Sequence, residues 1–220
     1  MKMFHRRSVA DVDQWSQPYG NAELTIYETI IAQKKNECAK ICLKNMLNGF
    51  IIQGKEGAMR IIGIDPGYAI MGYGVLDYIG NKFMPVTYGS ITTDAHTRDA
   101  ERLKILYDEL KGIIEEYQPD EASIEKLFYN TNATTAIMVG EARGIAMLAC
   151  EQSGVAISEY TPLEIKSALT GYGKADKKQV QTMVKMILNL EEVPKPDDTA
   201  DAIAAAICHA QHAGGRMPRR

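Results

Sequence analysis

The chain has 220 residues, of which 45% are hydrophobic and 24% are charged, as in an ordinary globular protein with one good-sized domain. Its formal net charge of −3 argues against a broadly cationic surface for nucleic acid. No apolar run reaches the roughly 18 residues of a membrane-spanning helix, so we expect no membrane partner.

The four cysteines do not form a disulfide pattern. Cys38 and Cys42 lie early in the chain, whereas Cys150 and Cys208 lie in apolar stretches of helical type. The first two have no matching Cys/His pair of the kind that completes a zinc site. Near the amino terminus there is also no apolar segment with a secretory cleavage site. We therefore expect a protein of the reducing cytoplasm.

Residues 1–58 differ in pattern from the rest of the chain. The run Lys-Glu-Gly at 55–57 can be encoded as AAGGAGG, a bacterial ribosome-binding sequence, just ahead of the codon for Met59. Our hypothesis is that Met59 is the natural start and that the leader is translated upstream sequence. The alternative is a genuine, poorly ordered extension. In either case the sequence predicts one domain over 59–213 and a short tail over 214–220.

From Met59 onwards, strand and helix patterns are clear. Strands at 60–65, 71–79 and 82–92 form an antiparallel meander, with a tight turn at Gly80-Asn81. Apolar spacing and Gly or Pro breaks then predict, in order, a helix at 97–117, a strand at 121–125, a helix at 132–152, a strand at 155–160, a short helix opened by Thr161-Pro162 and broken at Gly171-Tyr172-Gly173, and helices at 176–189 and 197–212. This order predicts an α/β fold, a five-stranded mixed sheet with helices on both faces.

Asp65 lies at the carboxyl end of the first buried strand, which Pro66-Gly67 terminates. A buried carboxylate is costly unless it is paired or holds a cation. On its own, Asp65 could equally be a turn residue. A functional role for Asp65 is indicated because the predicted topology can bring three other acids to the same edge of the sheet.

Glu125 ends the second apolar strand, and Asp198 and Asp201 stand three residues apart on one face of the last helix. Singly, Glu125 could be a solvated strand end, and the aspartates, with Asp197, could merely cap the helix. Together with Asp65 they predict a site for hard divalent cations. Two-metal sites hold ions roughly 3.5–4 Å apart and cleave phosphodiesters. We expect Asp65 to bridge the ions, Glu125 to hold one, and the two helix aspartates to hold the other.

Aromatic and basic residues suggest how nucleic acid would bind. Phe128 follows Glu125 closely and could stack on an unpaired base, although ordinary packing explains an isolated Phe equally well. Lysines are concentrated between 166 and 185, with Asp176 as the single acid among them. We predict phosphate contacts from Lys166, Lys174 and Lys177. The alternative is a solvated helix face.

These residues, taken in order, resemble the RuvC family of Holliday junction resolvases over nearly all of 59–212. The resembling segments are Ile62-Gly63-Ile64-Asp65-Pro66-Gly67 with Gly72-Tyr73-Gly74, Ile124-Glu125-Lys126-Leu127-Phe128, Gly140-Glu141-Ala142-Arg143-Gly144, Tyr160-Thr161-Pro162 through Lys166, Gly171-Tyr172-Gly173-Lys174-Ala175-Asp176-Lys177, and Asp198-Thr199-Ala200-Asp201-Ala202-Ile203-Ala204. An Asp-Pro-Gly run is weak alone, but the full ordered set is specific.

The resemblance implies a ribonuclease-H-like fold and a homodimer that nicks two opposed strands of a four-way junction in recombination and repair. It also implies Mg²⁺, two ions per site with Mn²⁺ able to substitute, and cooperation with a RuvA–RuvB branch-migration complex. The family's catalytic, base-stacking and basic positions fall on Asp65, Glu125, Asp198 and Asp201, on Phe128, and on Lys166 and Lys177.

Two other classes of protein share part of this pattern. ATP-binding proteins of the actin and sugar-kinase type also open with a strand carrying Asp and Gly, but they need a second Gly-rich loop and a second lobe. A DNA-binding module without cleavage activity is the other alternative, and the presence of all four acids argues against it.

Two helices carry further expectations. Ala136, Gly140, Gly144 and Ala146 could form a dimer contact on the 132–152 helix, although core packing would explain the same residues. His209 and His212 on the last helix have no third ligand and are expected to be structural.

Overall fold

The computed structural model of the chain describes residues 58–126 and 133–214. Within these ranges the elements are β1 (Met59–Asp65), β2 (Ile70–Ile79), β3 (Lys82–Thr92), α1 (Asp99–Tyr117), β4 (Glu121–Glu125), α2 (Ala133–Gln152), β5 (Ala156–Tyr160), α3 (Pro162–Thr170), α4 (Lys177–Ile187) and α5 (Asp197–Gly214). Each predicted strand and helix is confirmed, with ends shifted by two residues or fewer. Phe128 and most of the predicted leader and tail lie outside the described residues.

The five strands of the described region form one sheet in the order β3-β2-β1-β4-β5. β1 pairs antiparallel with β2 and parallel with β4, and β4 pairs parallel with β5, so the predicted mixed sheet is confirmed. The β2–β3 turn is tight because Gly80 and Asn81 both adopt positive φ, at 53° and 66°. The central strand of the sheet is therefore β1, and it ends on Asp65.

Helices cover both faces of this sheet, as the sequence predicts. Because strand side chains alternate, Ile61 points to one face and packs with residues of α3, α4 and α5. Ile62 and Ile64 point to the other face and pack with residues of α1 and α2. The odd-numbered positions of β1, which include Asp65, therefore lie on the face that α5 covers.

Polar side chains fix where α3 and α4 begin. The Thr161 hydroxyl accepts from the Glu164 backbone N–H at 3.2 Å, and the Glu164 carboxylate accepts from the Thr161 N–H at 2.7 Å. Asp176 and Gln179 make the same reciprocal pair at the start of α4. Asp176, the acid within the lysine-rich segment, is therefore engaged in capping a helix.

Helix α5 lies unusually close to the backbone of the sheet. A Cβ added to Gly63 of β1 would stand 2.0 Å from the Ala202 carbonyl oxygen. A Cβ added to Gly72 of β2 would stand 1.9 Å from the Asp198 carbonyl oxygen. These two glycines let the first turns of α5 rest directly on β1 and β2, beside the end of β1 that carries Asp65.

Two of the four cysteines lie in the described part of the chain. Cys150 and Cys208 are free and buried, and burial raises the pKa of each thiol to about 12. Their places in α2 and α5 confirm the expectation that both lie in helices. None of the helices in the described ranges has both the length and the hydropathy needed to cross a bilayer.

Gly63→Ala tests the close approach of α5. We expect unfolding in urea to show a loss of about 2–3 kcal/mol or more, because the new methyl group would meet backbone atoms that cannot rotate away. The matched control is Gly112→Ala in α1, where an added Cβ has no neighbour within 4 Å. That variant should be up to about 1 kcal/mol more stable, since Ala favours helix. Equal stability of Gly63→Ala and wild type would contradict the contact.

Candidate active site

Four acids meet at the carboxyl edge of the sheet. Ile64 of β1 pairs with Ile124 of β4, so Asp65 and Glu125 follow as neighbours on adjacent parallel strands. The first two turns of α5 bring Asp198 and Asp201 over the same edge. All four side chains are half-buried. The predicted convergence of the four acids is thus present in the fold.

Asp65 has the most perturbed carboxyl group of the four. Its pKa is raised from 3.8 to about 8. Burial is the largest cause, followed by the charges of Asp201, Glu125 and Asp198, while Lys177 acts in the opposite direction. A fourth negative charge is therefore unfavourable at this position unless a cation accompanies it.

Glu125 and Asp201 are perturbed in the same direction. Burial and then the charge of Asp201 raise the pKa of Glu125, against the nearby Lys166 and Lys177. Burial also raises the pKa of Asp201, even though Asp201 accepts a hydrogen bond from Lys177. For Asp201 the loss of water on burial, together with the charges of Asp198 and Asp197, outweighs the ion pair with Lys177.

Lys177 supplies positive charge to the cluster. Its Nζ lies 3.1 Å from Asp201 Oδ2 and 3.3 Å from Asp197 Oδ2. Burial disfavours its charged form, but the hydrogen bonds and charges of the two aspartates outweigh this and raise the pKa of Lys177. Lys177 is also the first residue of α4, where the helix dipole disfavours a cation. The acidic cluster compensates for that unfavourable position.

A cavity of about 220 Å³ opens beside the acids. Glu125 and Asp201 line it together with Lys166 and Lys177, so acidic and basic groups face the same space. A larger groove of about 430 Å³ lies between α3 and the end of α5. It contains none of the four acids, and Glu164, its acidic residue, is engaged in capping α3. We therefore place the chemistry at the smaller cavity.

The four acids fit a divalent cation by donor type and by charge. Carboxylate oxygens are the ligands that Mg²⁺ and Mn²⁺ prefer, and the raised pKa of Asp65 shows that the cluster lacks positive charge. The arrangement of the described side chains, however, does not complete a metal site. In the described ranges, no group of three or more His, Cys, Asp or Glu side chains is arranged to hold a metal ion.

The predicted DNA-contacting residues fall into separate places. Lys166 is half-buried and, with Lys177, faces the cavity. Lys174 is exposed and does not line the cavity. Phe128 lies outside the described residues, so its place relative to the acids stays a prediction.

A polar network around Tyr68 was not predicted from the sequence. Tyr68 donates its hydroxyl proton to Asp99 Oδ1 at 2.8 Å, and the Arg102 guanidinium lies 4.2 Å from the Tyr68 ring centroid. Arg102 Nε donates to Thr93 Oγ1, which in turn donates to the Tyr68 carbonyl. The network braces the loop that follows Asp65. Nothing local in the sequence indicates it, because the partners come from separate segments.

The proposed small-residue contact on α2 needs a correction. Ala146 is fully buried in the core of its own domain, so it cannot lie on a contact surface between subunits. Gly144 is exposed, and an added Cβ there has no neighbour within 4 Å. Among the described side chains of this helix, the large apolar ones that are exposed are Ile137, 64% exposed, and Leu148, 46% exposed.

Comparisons with known proteins show which family the chain belongs to. The family model "Crossover junction endodeoxyribonuclease RuvC" matches residues 61–209. The chain is 56% identical over 161 residues to the RuvC of Caldanaerobacter subterraneus subsp. tengcongensis, an alignment that covers 73% of this chain and 97% of that protein.

Solved structures of Thermus thermophilus RuvC are also similar. One matches with a TM-score of 0.67 at 32% identity, covering 72% of this chain and 97% of that chain. Another, in complex with Holliday junction substrate, matches with a TM-score of 0.68 at 33% identity and covers 70% and 94%.

The fold and the matches define a nuclease of the resolvase class. The chain belongs to the RuvC family of crossover junction endodeoxyribonucleases. The resemblance inferred from the motifs is thereby confirmed, as are the predicted ribonuclease-H-like fold and the enzyme class. The ATP-binding alternative of the actin and sugar-kinase type is rejected.

Asp65→Asn should change how stability depends on pH when a chelator is present. The unfolded chain loses the Asp65 proton near pH 3.8, whereas the folded protein retains it up to about pH 8. Raising the pH from about 4 to about 8 therefore favours the unfolded state. In urea denaturation, Asp65→Asn should lose less stability than the wild type across this pH range. The difference between the two losses should be a few kcal/mol at most.

Glu191→Gln is the control for this measurement, because Glu191 is an exposed acid on the turn before α5. It should keep the pH dependence of the wild type. If Asp65→Asn also keeps it, Asp65 ionises normally and the strong mutual repulsion of the acids is refuted.

Proposed function

We propose that this chain resolves four-way DNA junctions by paired, metal-dependent nicks, with the reaction at Asp65, Glu125, Asp198 and Asp201. The observation that carries this proposal is the half-buried acidic cluster beside a cavity lined by two lysines. The RuvC of Thermus thermophilus is a relative whose structure contains Holliday junction substrate. That substrate is the one we propose for this chain.

In the proposed reaction the four carboxylates would hold divalent cations, Mg²⁺ in two copies, with Mn²⁺ able to substitute. Such ions would supply an activated water and stabilise the leaving oxygen in phosphodiester hydrolysis. Asp65 is the central ligand because β1 lies between β2 and β4 and because three other acids act on its pKa. Its raised pKa means that cation binding would also release a proton in the neutral range.

The lysines have two different proposed roles. Lys166 and Lys177 line the cavity with Glu125 and Asp201, which supports a role in stabilising charge that develops on the scissile phosphate. Lys174 is exposed outside the cavity, which supports a contact with a backbone phosphate of the bound junction. Phe128 is proposed to stack on a base released from pairing.

We propose that the enzyme works as a homodimer with a RuvA–RuvB complex. Ile137 and Leu148 support a dimer contact through α2, since both are exposed and the exposed Gly144 lies between them on the same helix face. We further propose that the nuclease domain comprises residues 59–213, that the leader lies outside it, and that the enzyme is cytoplasmic. The family match to residues 61–209 supports the domain boundaries.

Asp65→Asn tests the proposed function directly. We expect it to abolish magnesium-dependent nicking of a synthetic four-way junction while leaving junction binding within a few-fold of the wild type. The reason is that the change removes one anionic ligand and leaves the DNA-contacting surface intact. The measurement is single-turnover cleavage on the junction and on linear duplex, with binding measured in Ca²⁺.

Asp197→Asn is the matched control. Asp197 precedes Asp198, but its charge is not among the main causes of the raised pKa of Asp65, so nicking should continue at a rate within several-fold of the wild type. Near-normal nicking by Asp65→Asn would refute the site. A wild-type protein that binds the junction and does not nick it would instead support the DNA-binding module without cleavage.

Lysine substitutions separate phosphate binding from catalysis. Lys174→Ala should reduce the salt dependence of binding by about one unit of slope, because one phosphate contact is lost. Lys166→Ala and Lys177→Ala should instead slow single-turnover cleavage by about 10²-fold, with smaller effects on affinity. Lys185→Ala, at the far end of α4, serves as a control and should change neither quantity. Unchanged slopes and rates for all three would leave a solvated basic helix as the explanation.

A further inference from the structure

His209 is fully buried near the end of α5, and both of its ring nitrogens are engaged. Nε2 lies 2.7 Å from Glu121 Oε2, and Nδ1 lies 2.8 Å from the Tyr160 hydroxyl. Glu121 is the first residue of β4, and Tyr160 is the last residue of β5. The buried imidazole therefore ties the end of α5 to two neighbouring strands of the sheet.

A second polar contact joins α5 to β4. The Ser123 hydroxyl, also fully buried, donates to the Ala205 carbonyl oxygen at 2.8 Å. Ser123 is two residues from either end of β4, and Ala205 is four residues from both Asp201 and His209. The order of the contacts shows that α5 runs antiparallel to β4 across the sheet.

The distance between these contacts along β4 is close to the distance between them along α5. From Glu121 to Glu125 the strand rises about 13 Å, and from Asp201 to His209 the helix rises about 12 Å. A contact between His209 and Glu121 at one end therefore brings Asp201 level with Glu125 at the other. These two acids line the same cavity, where the charge of Asp201 contributes, after burial, to the raised pKa of Glu125.

Most of the buried side chains of α5 are small. They include Ala200, Ala202, Ala204, Ala205, Ala206, Ala210 and Ala213, and the large ones are Ile203, which packs against Gly74 of β2, and Ile207. Apolar packing is not directional, so small methyl groups resist sliding along the helix axis only weakly. Gly63 and Gly72 permit the close approach of the helix without bonding to it. Hydrogen bonds have a defined geometry and can fix the axial position.

We propose that the His209–Glu121 contact is a positioning device that sets the axial register of α5 on β4 and so holds Asp201 at the right level relative to Glu125. His209 and Glu121 act through the two acids and do not touch the substrate. The inference rests on the proposed metal-dependent function of those acids. The Tyr160 hydroxyl holds the second ring nitrogen and orients the imidazole.

The test measures Mn²⁺ binding to the purified protein by titration calorimetry, beside cleavage and thermal unfolding. His209→Ala and Glu121→Ala should each weaken Mn²⁺ binding by about fivefold, less than the losses of about tenfold and more that follow removal of a ligand's direct partner. The double substitution should be no weaker than either single one, because both remove the same contact.

The stability control is Cys208→Ala, which removes a fully buried side chain from the same turn of α5 without touching the contacts to β4. A purely structural role for His209 predicts that both variants lower the unfolding temperature and that neither changes Mn²⁺ affinity. Equal Mn²⁺ affinities for Cys208→Ala and His209→Ala would therefore overturn the proposal.

Two conservative variants show which contact of the imidazole matters. Gln at 209 can place a nitrogen near the position of Nε2, facing Glu121, whereas Asn can place one near Nδ1, facing Tyr160. We expect His209→Gln to restore Mn²⁺ affinity to within about twofold of the wild type and His209→Asn not to restore it. The reverse order would overturn the assignment to Glu121. If His209→Ala does not fold, Glu121→Ala and this pair still decide the question.

Asp65→Asn separates failure of this inference from failure of the proposed function. If Asp65→Asn binds Mn²⁺ as well as the wild type does, the acidic cluster is not the metal site and the proposed function fails. If Asp65→Asn loses binding while His209→Ala matches Cys208→Ala, the metal site stands and only the positioning role is refuted.

Discussion

The contact between α5 and the backbone of the central strands is the constraint on which the site depends. Gly63 and Gly72 remove the side chains that would hold the helix away, so the carbonyl groups of its first turns rest on β1 and β2. Without that approach Asp198 and Asp201 would stand a side chain's width further from Asp65. The many alanines of α5 suit the same requirement, and the larger Ile203 packs where Gly74 of β2 leaves room for it.

That close approach has an electrostatic cost. Three carboxylates surround Asp65 in a half-buried setting, and its pKa rises to about 8 as a result. The fold tolerates the cost because Lys177 pairs with two of the helix aspartates and because the site opens onto a cavity. The repulsion between the carboxylates lowers the stability of the fold, but it also makes the site bind cations strongly. Strong cation binding is the property that a metal-dependent nuclease needs.

Contacts remote from the acids determine their arrangement. The Tyr68 network braces the loop after Asp65, and the contacts of Ser123 and His209 relate α5 to β4. The candidate active site is thus held from three directions, by the strand ladder, by the loop after β1 and by the polar contacts along α5.

Much of this protein could be predicted from sequence alone, for local physical reasons. The β-branched run before Asp65, the helical spacing of α1 and the Thr161-Pro162 start of α3 are all local signals, and each predicted element is present. The four acids could be named because each stands at the end of a strand or the start of a helix. Motif order then identified the family.

Only the tertiary structure decided the rest. The partners of His209 lie 49 and 88 residues away in the chain, and the Arg102–Tyr68 contact joins separate segments, so no local pattern could reveal either. The sequence left Ala146 open between a dimer contact and the core, and the packing of the domain assigns it to the core. Local sequence patterns determined which residues are candidates for the site. Long-range packing decided how those residues are held, because residues that are far apart in the sequence can be in contact in the fold.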